Sequence, residues 1–276
     1  NLSNGGNYNN VTTGVLSINN PAVSMNGYVY HCVVTGTCGT ATSNSATLTV
    51  NDPGKWLGSV STAWSNAANW ECGVVPGAGT NVTINSGTTF SPVIDIAGAI
   101  CYDLAIASGA TLSFSGITNG IEIKGTIFNN GTFNTTSGKL TFSGTTQSIP
   151  AGTYRELSMN GAGNKTLSGA VNINTALTLT NGNILLGNND LTIGNSGNIS
   201  GANASSFVVI NGTGALRQQN IGAAGRTGNV IFPIGIPPAS YTPVSITNSG
   251  TADAFSVRVI ENVFSTYSAA DAPTGD

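Results

Sequence analysis

Ile121-Glu122-Ile123, Lys139-Leu140-Thr141-Phe142 and Glu156-Leu157-Ser158-Met159 are three runs of one pattern. Each alternates apolar with polar residues, the period of a β-strand with one buried face, and each runs within two residues into Gly. Outward from them, Asp103-Leu104-Ala105-Ile106 comes before, and Val171-Asn172-Ile173 and Asp190-Leu191-Thr192-Ile193 come after. Taking Leu104, Ile121, Leu140, Leu157, Val171 and Leu191 as equivalent gives steps of 17, 19, 17, 14 and 20 residues. An irregular recurrence of this length marks a solenoid with one coil per repeat. The pattern predicts a parallel β-helix whose alternate side chains enter a narrow core. Asn-Gly pairs such as Asn119-Gly120, Asn130-Gly131 and Asn160-Gly161 are expected to supply the positive φ values of coil corners.

The flanks differ in texture, so the fold class expected is all-β with three parts. Residues 1-51 read as short strands, Val11 to Ile18, Tyr28 to Val34 and Ala46 to Val50, parted by Gly-rich turns. Tyr30 stands two residues before Cys32, the arrangement of a tyrosine corner in an immunoglobulin-like sandwich, so this part is read as a partial sandwich lacking its front strands. Asn51-Asp52-Pro53-Gly54 is a linker, since Pro removes a donor and Gly weakens a strand. Residues 55-203 are read as a Trp-rich cap and β-solenoid, and residues 205-276 as an antiparallel β-sandwich, incomplete at its end.

Composition narrows the function. The 276 residues include 34 Asn, 28 Ser, 35 Thr and 37 Gly, with only 7% charged, against about 25% in an ordinary globular domain. A net charge of -3 and scattered Lys and Arg offer no cationic field for nucleic acid. No apolar run approaches the ~20 residues that span a bilayer. A surface of amides and hydroxyls suits an extracellular setting, and the missing leader and initiator Met imply a start inside a longer precursor.

Three stretches resemble secreted Bacteroidetes surface proteins. Met25-Asn26-Gly27-Tyr28, Cys32-Val33-Val34-Thr35-Gly36-Thr37-Cys38-Gly39 and Ala46-Thr47-Leu48-Thr49-Val50 are similar to their immunoglobulin-like repeats. The Trp-rich lead-in, Asn81-Val82-Thr83-Ile84 and Ser108-Gly109-Ala110-Thr111-Leu112 resemble the β-helical stretches of type IX-secreted members, over residues 56-200. Phe232-Pro233-Ile234-Gly235 and Tyr241-Thr242-Pro243-Val244-Ser245-Ile246 look like a domain found downstream of such solenoids. The resemblance implies an adhesin or stalk that attaches to surfaces, cells or polysaccharide.

Candidate site residues are few. Trp56, Trp64 and Trp70 are the only three Trp and fall within fifteen residues. They read as a packed cap, with Trp64 and Trp70 as the alternative glycan-stacking platform. Four Cys lack the paired spacing of a zinc site and point to disulfides. Cys72 with Cys101 would staple cap to solenoid, a closure worth about 3–4 kcal/mol on the chain-entropy model. Cys32 and Cys38 would close a hairpin, or one of them would pair upstream. His31, the only His, is expected to face solvent. Asp95, Asp103, Glu122, Glu156 and Asp190 form no cluster in sequence, and Asn188-Asn189-Asp190 reads as a polar turn before a calcium site. No catalytic residue, cofactor or metal is assigned.

The function expected is therefore a structural or adhesive element at the bacterial cell surface, forming an extracellular rod, stalk or filament. Its partners would be further copies of itself or the rest of a longer chain, and surface polysaccharide. The alternatives are a carbohydrate-binding module of a larger secreted polysaccharide-acting protein, and a β-helix that itself acts on polysaccharide.

Overall fold

A computed structural model describes residues 1–236 and 240–260. The protein is all-β, with a parallel solenoid of about six turns and additional antiparallel pairs. Each coil contributes a short strand to each of three faces. The first face opens with Val82–Ile84, Leu104–Ile106 and Ile127–Asn129 in parallel register. It resumes with Gln147–Ile149, then 165–167, 184–185, Val208–Val209 and 234–235. The second opens with Val93–Ile94, Thr111–Phe114 and Thr132–Phe133, and resumes with 152–154, 171–173, Leu191–Ile193 and 216–218. The third runs unbroken through Ala99–Cys101, Gly120–Ile123, Lys139–Phe142, 156–159, 176–179 and Asn198–Ser200.

Alternation explains the core. On the third face Ala99, Ile121, Leu140, Leu157, Leu177 and Ile199 stack in one inward ladder. Cys101, Ile123, Phe142, Met159 and Leu179 form a second. All but Ile199 are buried, while the intervening Glu122, Thr141 and Thr178 reach the surface. Full burial of one such aliphatic side chain stabilises by about 1.5–3 kcal/mol, so the interior is built one rung at a time.

The register revises the repeat read from sequence. Ile121, Leu140 and Leu157 are true stacking partners. Leu104 lies on the first face, between Val82 and Ile127, and Val171 and Leu191 lie on the second. A coil has three inward strands, so spacing alone slides between faces. The glycines also act differently. Gly131 and Gly161 do not adopt positive φ; a Cβ there would lie 2.4 Å from the Ala107 carbonyl oxygen and 2.3 Å from that of Ser143, so the constraint is close approach of successive coils.

Parallel stacking also continues past residue 205, where a separate sandwich was expected. Val208–Val209 pairs with 184–185 and with 234–235, and 216–218 pairs with Leu191–Ile193. The antiparallel pairs of this region are added to the solenoid: Asp253–Val257 lies along Leu216–Ile221, and Ser240–Tyr241 along Ile234–Ile236. Val230–Phe232 pairs with Val244–Ile246. The texture changes because the chain begins to double back along its own last coil. The expected polar tail lies outside the described residues.

Residues 1–51 form short antiparallel pairs: Tyr8–Asn9 with Ser17–Ile18, Val29–Tyr30 with Ala46–Thr47, and Val33–Gly36 with Gly39–Thr42. The expected strand over 11–18 shortens to Ser17–Ile18, with turns and bends over 11–15. Met25 is the sole buried hydrophobic residue of this part. The Tyr30 hydroxyl meets that of Tyr8 at 3.0 Å, where a tyrosine corner would bond the backbone.

Leu157→Ala removes a fully buried rung from the unbroken face and is expected to destabilise by about 2–5 kcal/mol in chemical denaturation. Thr178→Ala, outward on the next coil, is expected to shift stability by about 0.5 kcal/mol or less. Similar effects for the two would contradict the register.

Candidate functional site

The first candidate is the Trp cluster, and the register places it. Lys55 bridges Thr83 and Ala63 bridges Val93, both parallel. One residue on, Trp56 falls on the Ile84–Ile106 ladder and Trp64 on the Ile94–Phe114 ladder. The segment from Lys55 to Trp70 is thus a partial coil laid beneath the first, with rings where later coils place Ile. Trp70 meets both other rings edge to face, at centroid separations of 5.0 and 4.7 Å. Gly58, at φ 57°, lets the chain pass: a Cβ would sit 2.2 Å from the Phe90 carbonyl oxygen, which accepts the Trp56 Nε1 proton.

Trp64 and Trp70 are 0% and 1% exposed, which removes the glycan-platform alternative. The rings close the open end of the core, where no further coil would cover the ladders. Asn69, unsuspected from sequence, organises the cap. It is fully buried, accepts from the Val60 and Ser61 amides, and donates to Ser61 Oγ and the Ala63 carbonyl. Its signal was an amide directly before a buried Trp, hidden among 34 Asn.

All four cysteines are free, so the expected disulfides are not formed. Cys101 points into the core beneath Ile123 and is 0% exposed, whereas Cys72 sits exposed in the turn after Trp70. Strand alternation decides against the staple. Cys32 is at the base of the Val33–Gly36 and Gly39–Thr42 hairpin, bonded through its backbone to Ser43, while Cys38 is in the turn. Several residues at ~3.3 Å each separate them along the hairpin, beyond the ~7 Å Cα limit of a disulfide. His31 is exposed.

Each carboxylate considered for catalysis or metal binding has a structural partner or stands apart. Asp95 accepts from the amide and hydroxyl of Ser65, tying cap to first coil. Asp103 accepts from the Thr126 amide in the next coil, and Asn81 accepts from the Asp103 amide in the same way. Asp190 and Asn188 do so for Ala215 and Thr213, and Asn189 donates to the Leu167 carbonyl, so this turn bridges coils. Glu156 is paired with Arg155. Glu122 shares the third face with Glu156, two coils and two strand positions away, which at ~4.8 and ~3.3 Å spacing separates them by about 12 Å. Among the described residues no three His, Cys, Asp or Glu gather as metal ligands.

Buried polar side chains stitch the corner between the third and first faces. Gln147 donates to the carbonyls of Ile123 and Gly125 and accepts from the Gly144 amide. Lys165, stacked directly on Gln147, is fully buried and donates to the Gly161 and Ala162 carbonyls. Burial pushes its ammonium below the ordinary lysine range. Ser206 caps the Gly182 carbonyl further along.

The ladders are interrupted at one level. Between the third and fourth coils, 127–133 and 147–154 share no strand pairing on the first or second face, although the third face continues. A cleft of about 230 Å³ opens there, lined by Ile127, Phe133 and Tyr154 with Asn129, Asn134 and Thr136 among its polar groups. The coils rejoin at the next corner, where Thr135 Oγ1 donates to the Thr153 carbonyl and the Arg155 amide to that of Thr135.

Fold and fittings together define a capped, three-faced parallel β-solenoid. A family model described as a domain of unknown function (DUF8693) matches residues 55–140. That span starts at the first residue bridged to the solenoid and ends in the third coil, just short of the interrupted level. No curated protein and no solved structure matches the chain.

Two predictions test the cap and the thiols. Maleimide is expected to label Cys32, Cys38 and Cys72 in the native protein and Cys101 only after unfolding, since burial pushes the Cys101 thiol up to about 12. Glu71 accepts from the Lys55 ammonium and the Asp52 amide, and these hold its carboxyl below the usual range. A lowered folded value means this stabilisation is present above the ordinary carboxylate range and lost as pH falls through the lowered one. Glu71→Gln should therefore abolish that part of the acid-limb loss in pH-dependent melting, on the order of 1 kcal/mol or less because the pair is partly open to water.

Proposed function

We propose that the chain is a structural and adhesive element of the bacterial cell surface, an extracellular rod carried outward by the type IX secretion route of the proteins it resembles. The observation that carries this reading is the unbroken third face: six strands stacked in register, extending the molecule by about 4.8 Å per coil on a core one side chain deep. Such a plan converts residues into reach. The 7% charge supports it, because an amide and hydroxyl surface adds little like-charge repulsion between neighbouring copies. Further copies, or the rest of a longer chain, would continue the rod, and surface polysaccharide would be met along its side.

Immunogold labelling of intact cells combined with negative-stain imaging of the native particle tests this. Surface label, elongated particles and weakened attachment in a deletion strain are expected. Label found only after permeabilisation, or compact particles, would overturn the reading.

A further inference from the structure

The interrupted level between the third and fourth coils breaks the rule of the rest of the solenoid. Val82, Leu104 and Leu112 are no more than 1% exposed. Ile127, next in the Val82–Leu104 ladder, and Phe133, next after Leu112, occupy equally inward positions yet are only partly buried. They form the apolar floor of the cleft. Phe114 stacks on one face of Phe133, with centroids 5.8 Å apart and planes within 21°. Phe114 belongs to the preceding coil, so the opposite face of Phe133 is presented toward the fourth coil, into the cleft. Tyr154 stands on the far wall, its hydroxyl donating to the Pro150 carbonyl at 2.6 Å.

The rim is amide and hydroxyl, from Asn129, Asn134 and Thr136, all exposed, and among the described residues no Asp, Glu, Lys, Arg or His lines the space. Gln147 ties the coils together at one end of the interruption and Thr135 at the other. A peptide strand threaded alongside 127–133 would collide with both stitches, so an occupant must enter from the side. The volume is below the ~300–1,000 Å³ of a drug-sized pocket. A flat aromatic face, neutral hydrogen-bonding groups around it and room for one ring are together the chemistry that recognises an uncharged sugar, whose apolar C–H face packs on the ring while its hydroxyls meet the rim.

We propose that this cleft binds a terminal or side-branch unit of a neutral glycan, with Phe133 as the stacking platform and Asn134 and Thr136 as hydroxyl partners. The inference rests on the adhesive reading for its biological setting and gives that reading a ligand class.

The test is saturation-transfer NMR and calorimetry on the full chain with maltose, cellobiose, lactose and mannobiose, against galacturonate oligomers and an uncharged extended peptide. Binding of at least one neutral sugar is expected, with an affinity at least about tenfold weaker in the Asn134→Ala/Thr136→Ala double variant. Both substitutions are at exposed positions, so the fold should persist, as the melting curve will show. Phe133→Leu keeps an apolar floor and removes the flat face, and should abolish the aromatic saturation signal. No neutral sugar bound at up to about 10 mM, binding unchanged in the double variant, or preference for the anionic oligomer or the peptide would each overturn the proposal. A surface-exposed rod that fails these tests sinks the cleft and leaves the adhesive reading standing. Sugar bound at the cleft of a protein dispensable for attachment does the reverse.

Discussion

A coil of this solenoid cannot satisfy its own backbone. In a helix the peptide groups bond within the element, but here every N–H and C=O that points along the axis depends on the coil before or after. Register follows from that dependence, because a rung shifted by one residue would turn every inward Leu and Ile outward. The third face, with Leu140 between Ile121 and Leu157, shows the requirement met on both sides. Every special feature of the molecule lies where the requirement cannot be met in the ordinary way.

The two ends illustrate it. At the first, Trp56 and Trp64 occupy ladder positions at the start of the stack and Trp70 packs edge to face on both, so three large buried rings end the ladders. At the other, Asp253–Val257 runs antiparallel along Leu216–Ile221 and shields an edge that would otherwise be open to pairing. Arg226 reinforces that closure, donating to the Gln219 and Gly197 carbonyls and to the Gln218 side chain, which is itself buried. Corners are handled by side chains that act as surrogate backbone, as Gln147, Lys165 and Asp103 do.

Alternation is legible in the residues; the face that each strand joins is not. Any inward Leu or Val looks alike in sequence, so Leu104 and Val171 align with Ile121 by pattern though they stack elsewhere. The Trp cap is legible because clustered aromatics need a common burial site. The absence of the disulfide staple is not, since Cys101 lies just ahead of the first clear apolar alternation and only its place in the Ala99–Cys101 strand turns it inward. Continuation of the coils beyond residue 205 is masked by the returning strands, whose longer apolar runs resemble a separate sheet. The cleft has no sequence signal at all: Ile127 and Phe133 carry the same pattern as their stacked neighbours, and only the missing pairing exposes them.

The inequality of the three faces has a mechanical consequence. Tension along the axis loads the bonds between coils in series, so extension concentrates at the weakest junction. Between the third and fourth coils one face carries the continuous ladder while the other two are held by a few side-chain and backbone stitches at their ends. Force there acts off-centre, and the first response is bending about the third face, a fold of the solenoid at a fixed point along its length. A solenoid with one such joint yields to shear by tilting while the coils on either side keep their pairing.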